Sequence, residues 1–595
     1  MCGIVGYTGP REAQRILIAG LKKLQYRGYD SCGIAIRSQQ LEVFKEVGTV
    51  EKLEANSPQV KGRTGIGHTR WATHGGVSQI NAHPHLDCTG KIAVVHNGVL
   101  TNYASLRDQM MKEGHVFHSE TDTEVISHLI ERYYHGSLVD AVSRTIVDLE
   151  GTFAFVALHQ DEPRLVGSRR ECPLIAGLSE KAGNFISSDV LAFLETTNRA
   201  LYLEDGDIAV VSDNEVIVTR SGSTITRPEI RIEWEAEELR KSGYEHFMLK
   251  EIHEQPKVID RALWNRIKYF ESINDTGVNR ISNLSSIQLI ACGTSYHAAM
   301  IGEQVVSRLS GLPARAVIAS EFRHPELLPP NSLLIGISQS GETADTLISL
   351  KKAQELGISI MAVTNVPGSS LTRLSEQVLF TNAGPEVAVA ATKTFTAQLV
   401  ALYLVALDYA SSGIDVADSI RNNLRLVSGK VQEVLDSEDL VSVKAKILSN
   451  YRDCFLIARG INYPVALEGA LKLKEIAYVH AEAFPAGELK HGPFALLDTN
   501  TPVIAIITDD ENRDSMLTTV KEIKARGAPV YAIAPQIDDY LEQLVDGVIR
   551  VPAIPPMLSP FVNVVVLQLL SYYIGKVKGC PIDMPVNLAK SVTVP

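Results

Sequence analysis

Three patterns of apolar and polar residues follow one another along the chain. Up to about residue 220, short β-prone runs are separated by turn residues: Ile4-Val5-Gly6-Tyr7, Gly33-Ile34-Ala35-Ile36, Ile92-Ala93-Val94-Val95, Thr152-Phe153-Ala154-Phe155-Val156 and Asp207-Ile208-Ala209-Val210-Val211. Helical stretches sit between them, notably 10–25 and 121–135, so an α+β domain with largely antiparallel sheets is predicted. Residues 226–280 change character: the acidic, helix-prone run 233–238 leads through Lys241-Ser242-Gly243 into a helical stretch at 246–272, read as a connector with little core of its own. From about 285 onward, apolar runs at 287–291, 333–337, 358–363, 454–458, 503–507 and 529–533 each precede a turn or helix. That order predicts parallel sheets covered by helices.

The last section repeats itself. Ile337 to Gly357 aligns without a gap on Ile507 to Gly527, and Leu289 to Tyr296 resembles Leu456 to Tyr463. Two copies of one α/β unit are expected.

Composition narrows the class. A chain of 595 residues exceeds one hydrophobic core, and 45% hydrophobic with 21% charged residues is ordinary for a globular protein. The net charge of −12 is spread without a basic block, so neither nucleic acid nor an anionic membrane is expected as a partner. The apolar runs 397–407 and 562–570 fall short of a bilayer span, and the N-terminus has no basic lead of a signal peptide. Seven scattered cysteines without a CxxC fit a reducing cytoplasm rather than a disulfide framework.

Cys2 has a chemical reason for its position. Once Met1 is removed, as its small neighbour allows, the α-amine (pKa about 8) can take the thiol's own proton. Amide hydrolysis also needs an oxyanion hole and a grip on both substrate ends. Asn97-Gly98 after the strand 92–96 offers the first; Arg70 could hold a carboxylate and Asp122 an ammonium. Histidines 68, 74, 83, 85 and 96 are irregularly spaced and give no convincing ligand set, so no metal is expected. In the repeated half, Cys292-Gly293-Thr294-Ser295 and Ser338-Gln339-Ser340-Gly341-Glu342-Thr343 follow strands and open helices, as anion sites do. Neither a P-loop nor GxGxxG occurs, so a nucleotide is not favoured. The second copy has Thr508-Asp509-Asp510-Glu511-Asn512-Arg513 there, whose carboxylates would repel phosphate. It supplies instead Glu468, Lys472 and Glu475 on one helix face, and Lys490-His491-Gly492-Pro493.

Six ordered motifs (the opening Met-Cys-Gly-Ile-Val-Gly, Tyr26 to Ser31, His68 to Gly75, Asn81 to His85, His96 to Gly98, and Ser119 to Glu124) resemble the N-terminal-nucleophile, class II glutamine amidotransferases. Ser338 to Leu347, Ala466 to Ile476, Ala481 to Pro493 and the tail Asn587 to Val594 resemble the sugar-isomerase (SIS) domains. The combination implies an αββα N-terminal-nucleophile sandwich at 2–220, a linker at 221–280, SIS domains at 281–420 and 445–582, and a catalytic tail at 583–595. It implies glutamine and fructose 6-phosphate as substrates, glucosamine 6-phosphate and glutamate as products, no cofactor, and a cytoplasmic homodimer. By motif, Cys2 is the nucleophile, Asn97 and Gly98 the oxyanion hole, and Arg70, Thr73, His74 and Asp122 bind glutamine, with Trp71 gating an ammonia channel. Lys590 would form a Schiff base with the ketose, Glu475 would move the proton between C1 and C2, and His491, reaching in from the partner subunit, would assist ring opening. Thr294, Ser295, Ser338, Gln339, Ser340, Thr343, Val389 and Lys472 would hold the sugar phosphate. Two positions depart from the family: Val586 stands where arginine is usual, and Ala391 where serine is common. The rival readings are a class II amidotransferase for another acceptor, which the repeats and Lys590 disfavour, and a phosphosugar sensor, which the retained catalytic set disfavours.

Overall fold

The computed structural model describes residues 2–234, 236–270, 284–410 and 415–592. Met1, Glu235 of the acidic run, the junction 271–283, residues 411–414, and Thr593 and Val594 of the tail motif lie outside the described residues.

The N-terminal half stacks two antiparallel sheets. The eight-stranded sheet runs in the order Glu229–Arg231, Arg199–Tyr202, Ile175–Leu178, Asn184–Ser187, Gly3–Thr8, Thr64–Arg70, Ser31–Arg37 and Leu41–Val47. The seven-stranded sheet contains Ile92–Leu100 and Gly151–His159 near one edge and Ser223–Ile225 at the other. Neighbouring residues on a strand face opposite ways, so each inner strand serves two cores. Ile4, Ala35, Ala93 and Val95 pack between the sheets. Val5, Ile34 and Ile36 pack outward against helix Ala13–Leu24, whereas Val94 packs outward with Val125 and Leu129 of helix Glu124–Tyr133. Four layers result, helix–sheet–sheet–helix. The apolar runs are continuous because both faces are covered.

Part of the stretch read as a connector belongs to these sheets. Ser223–Ile225 pairs with Val216–Arg220, and Glu229–Arg231 pairs with Arg199–Tyr202. Helices Phe247–His253 and Gln255–Phe270 in turn place Met248, Ile252 and Ile259 in the core of the C-terminal half. The connector therefore has no separate core because its two ends join those of its neighbours.

The C-terminal half holds two five-stranded parallel sheets. Their orders are Ala314–Ile318, Ser286–Ala291, Ser332–Ser338, Ser359–Thr364, Gln377–Phe380, and His480–Pro485, Asp453–Ala458, Val503–Ile506, Val530–Ala534, Gly547–Arg550. In each, the first and third strands lie side by side and the connections leave them on opposite sides, which opens a ligand crevice at their C-terminal ends. Helices from both copies share one core, with Gly293–Ser310 against Lys393–Asp408 and Tyr463–Ala477 against Ser559–Val577. Pro556–Val577 is long and apolar enough to cross a membrane, but 89% of its most apolar window is buried inside the protein. Its Gln568 accepts a hydrogen bond from Gln255 (2.7 Å) and donates one to the Thr392 carbonyl (3.3 Å), so it serves as a core helix.

Candidate active site

Strand register puts Cys2 in place. Gly3 pairs with Thr69, which sets Cys2 beside Arg70 and Trp71. The Trp71 N–H donates to Cys2 Sγ at 3.2 Å. Burial pushes the Cys2 thiol up, against the smaller pull of the Trp71 N–H and Arg70. The balance is a protonated thiol that needs a nearby base, the role that the α-amine of Cys2 itself would fill once Met1 is removed.

Asn97 reaches Cys2 from the other sheet. Its Nδ2 donates to the Cys2 carbonyl at 2.9 Å, leaving a second N–H. Its Oδ1 meets His68 Nε2 at 3.1 Å, and the same nitrogen meets the His96 carbonyl at 2.9 Å, so that ring must carry its proton on Nε2. Burial holds the His68 ring down to about 3 and those of His83, His85 and His96 below the usual range. The His68 and His83 ring centroids lie 4.1 Å apart with the planes tilted by 31°, His85 meets His83 edge-on, and Thr123 Oγ1 ties His83 to His96. Gly98 has φ +133°, and a Cβ there would meet the Thr152 carbonyl at 2.1 Å, so only glycine presents its N–H beside Asn97.

The expected glutamine-binding groups converge unevenly. Asp122 is buried, and its Oδ2 accepts the Leu100 N–H at 2.9 Å, leaving Oδ1 for a ligand's ammonium. Arg70 directs its guanidinium to the carbonyls of His74, Gly75 and Gly76 at 2.5, 3.0 and 3.1 Å, and so holds the loop 71–76 in shape. Only two of its five N–H groups remain for a carboxylate. The His74 ring packs edge-on against Tyr103, whereas Thr73 is exposed.

In the first SIS unit, the two loops read from the sequence meet at the sheet's switch point. Ser338 Oγ bonds Thr343 Oγ1 at 2.8 Å and accepts the Gly341 N–H at 3.1 Å. Gln398 donates to Ser295 Oγ at 2.9 Å. Thr294 Oγ1 lies between Glu468 Oε1 (3.0 Å) and Lys472 Nζ (3.1 Å) of the second unit's helix. Lys472 is wholly buried, pairs with Glu475 at 2.5 Å and Glu468 at 3.2 Å, and these carboxylates hold its ammonium above the usual range. Glu468 also binds His297 at 2.7 Å. In the second unit, Asp510 accepts from Thr508 Oγ1 and the Asn512 N–H, so its own carboxylate fills the anion position.

The tail joins the halves. Tyr29 OH donates to the Pro585 carbonyl at 2.8 Å and packs edge-on to Trp71. Ser591 Oγ bonds Ser340 Oγ at 2.9 Å, and the Ala344 N–H donates to the Val592 carbonyl at 3.0 Å. Lys590 is buried, ion-paired with Glu386, and donates to the Ala388 carbonyl at 2.8 Å. A cavity lined by Tyr26 and Arg27 of the N-terminal half and by Gln339, Ser340, Glu386 and Lys590 of the C-terminal half spans the junction. Val389 joins the apolar cluster of Val190 and Leu191 and donates its N–H to Asp583, which leaves its carbonyl as the polar group for a ligand. His491 is exposed and shares no hydrogen bond or ion pair with Lys590, Glu475 or Lys472 among the described residues. Two buried acids, Glu386 and Glu251, were not singled out from the sequence; a solitary carboxylate beside a polar turn carries no periodic signal.

A thiol held between two antiparallel sheets, joined by one shared tail to a paired parallel-sheet crevice, is the arrangement of a glutamine amidotransferase coupled to two SIS domains. The family model described as a glutamine amidotransferase domain matches residues 68–195, and that of the SIS domain matches 280–408 and 447–574. The glutamine–fructose-6-phosphate aminotransferases (isomerizing) of Methanosarcina acetivorans and Thermococcus kodakarensis are 45% and 44% identical to this chain, each over 100% of both chains. The C-terminal domain of the Francisella tularensis glucosamine-fructose-6-phosphate aminotransferase covers 58% of this chain and 100% of its own, at 36% identity and TM-score 0.54. The chain belongs to the family of isomerizing glutamine–fructose-6-phosphate aminotransferases.

Proposed function

We propose that this chain converts fructose 6-phosphate and glutamine to glucosamine 6-phosphate and glutamate, the entry step to amino-sugar synthesis. The observation that carries the reading is the tail, whose Pro585 carbonyl accepts from Tyr29 and whose Lys590 donates its backbone N–H to the Tyr26 carbonyl while its side chain meets Glu386. In the first site, Cys2 Sγ attacks the glutamine carboxamide carbon while its proton passes to the α-amine. Asn97 Nδ2 and the Gly98 N–H receive the oxyanion, and water then releases glutamate after ammonia has left. Arg70 and Asp122 hold the α-carboxylate and α-ammonium, with Thr73 and His74 at the rim.

In the second site, the Lys590 nitrogen attacks the C2 carbonyl, and its ion pair with Glu386 holds the side chain in position for that step. The Ser/Thr loops at 294–295 and 338–343 hold the phosphate and hydroxyls. Ammonia displaces Lys590 from C2, and Glu475, held by Lys472, moves the proton between C1 and C2. We assign Trp71, whose N–H meets Cys2 Sγ, to the gate of an ammonia channel between the two sites. We assign His491 to a site completed by a second copy of the chain, and infer a cytoplasmic homodimer. Light scattering on the purified chain tests the dimer: a monomer at working concentration removes that assignment.

The deciding experiment supplies both substrates and measures both products. Equal amounts of glutamate and glucosamine 6-phosphate are expected. Glutamate without amino sugar would leave a glutaminase only. Cys2→Ala should stop glutamine use and spare ketose–aldose isomerisation, and loss of both would contradict two separable sites.

A further inference from the structure

Away from both sites, three segments of the N-terminal half bring together Cys88, His115, His128 and Glu131, whose potential ligand atoms all lie within 4.8 Å of one another. Cys88 sits in the turn between strands His85–Leu86 and Ile92–Leu100, His115 follows helix Tyr103–Lys112, and His128 and Glu131 share a face of helix Glu124–Tyr133. We propose that these four side chains form a closed tetrahedral site for a structural Zn2+ ion.

The distances carry the assignment. Zinc bonds of about 2.0–2.1 Å to nitrogen and about 2.3 Å to sulfur imply tetrahedral edges of about 3.3 Å between nitrogens and about 3.6 Å between sulfur and nitrogen. The His115 and His128 Nδ1 atoms are 3.3 Å apart. Cys88 Sγ is 3.6 Å from the first and 3.5 Å from the second. Glu131 Oε2 is 3.0 Å and 3.3 Å from the same two nitrogens.

Protons alone satisfy this cluster badly. Glu131 Oε2 already accepts the Cys88 N–H at 3.1 Å. If both Nδ1 atoms donated to it, that oxygen would take three donors and two N–H groups would face each other. A single cation takes one lone pair from each of the four ligand atoms at once. The outer contacts also suit a metal: the Val116 N–H points at Cys88 Sγ from 3.4 Å, as at a thiolate, and Glu124 Oε1 lies 3.8 Å from the far nitrogen of His128. One thiolate with two imidazoles and a carboxylate selects zinc over magnesium or calcium. With four protein ligands no position stays open for substrate, so the role is structural. Zinc would fix the start of helix Glu124–Tyr133, where Glu124 accepts the His118 and Ser119 N–H groups (2.8 and 2.7 Å) beside Asp122.

The test uses the full chain in a Cys2→Ala background without a histidine tag, stripped with chelator and titrated with Co2+. Expected are the intense visible absorption of tetrahedral Co2+ and a near-ultraviolet thiolate-to-metal band, both saturating at one equivalent and bleached by Zn2+. Adding Cys88→Ser should abolish the thiolate band, and His115→Ala should weaken binding about tenfold or more, since even outer-shell partners are worth that much. A pale octahedral spectrum, or a thiolate band that survives Cys88→Ser, overturns the proposal. X-ray absorption on the zinc-loaded protein decides the matter without those variants: one sulfur among nitrogen and oxygen neighbours is expected, and a shell without sulfur refutes the site.

Discussion

Glu251 gives a sharp handle on the Lys590 site. It lies on helix Phe247–His253, 2% exposed, and its Oε1 accepts the Val387 and Ala388 N–H groups at 2.5 and 3.2 Å. Its Oε2 has no hydrogen-bond partner among the described residues. Burial first, and the Glu386 carboxylate second, push Glu251 up to about 8, against the opposing pull of Lys590 and Lys393. Its folded value exceeds the unfolded one, so the native state keeps a proton that the unfolded chain releases between pH 4.5 and about 8. Stability therefore falls as pH rises through that window and levels off above it. At about 1.4 kcal/mol per pH unit the ceiling is about 5 kcal/mol. Relaxation and water penetration around a charged Glu251 reduce this to about 2 kcal/mol. Glu251→Gln keeps the acceptor for both N–H groups and removes the ionisation. By calorimetry the variant should melt together with the parent at pH 5 and about 4 °C higher at pH 8.5 in the transition of the C-terminal half. A difference that does not change with pH would refute the account of this carboxyl.

Four further outcomes are expected. Gly98→Ala forces a Cβ against the Thr152 carbonyl at positive φ, so glutamine hydrolysis should be lost and the N-terminal half destabilised by about 2 kcal/mol or more, read by urea unfolding. Lys590→Ala should end amino-sugar formation and spare glutamine hydrolysis; trapping with borohydride and fructose 6-phosphate should label the parent on Lys590 and leave the variant unlabelled. The buried rings of His68, His83 and His85 titrate far below 6.5, so the unfolded state takes up protons first as pH falls. The melting temperature of the N-terminal half should drop from pH 6.5 toward 4, and a flat profile would contradict neutral buried rings. Tyr29→Phe removes the bond to the Pro585 carbonyl, worth about 1 kcal/mol, and should raise the ratio of glutamate to glucosamine 6-phosphate above one.

What the sequence revealed depended on how local each feature was. The loops at 292–295 and 338–343 were legible because an apolar run, a small-residue turn and a helix start fall within a dozen residues. Their meeting point follows from the order of parallel strands. The strands at 223–225 and 229–231 were read as connector because edge strands are polar and short. Arg70 was read as a carboxylate clamp from its side chain alone, yet the carbonyls of residues 74–76 engage much of its guanidinium. The Cys88 cluster gathers ligands from a turn, a loop and a helix, so only the fold assembles it.

The tail explains why one chain carries both reactions. Among the described residues its hydrogen bonds go to other elements: the Pro585 carbonyl to Tyr29, the Val586 N–H to Tyr478, the Lys590 N–H to Tyr26, Ser591 to Ser340, and the Val592 carbonyl to Ala344. A segment held only by such contacts takes its position from the domains it touches. Tyr29 packs on Trp71, whose N–H holds Cys2 Sγ, so a shift of the 71–76 loop on binding glutamine would bear on the anchor of Lys590. Glu386 is fixed independently by Thr392 and Thr394, and so marks where Lys590 must arrive. Cys2 of the N-terminal half and Lys590 of the tail are thus linked through a few aromatic and backbone contacts, in which Tyr29 takes part.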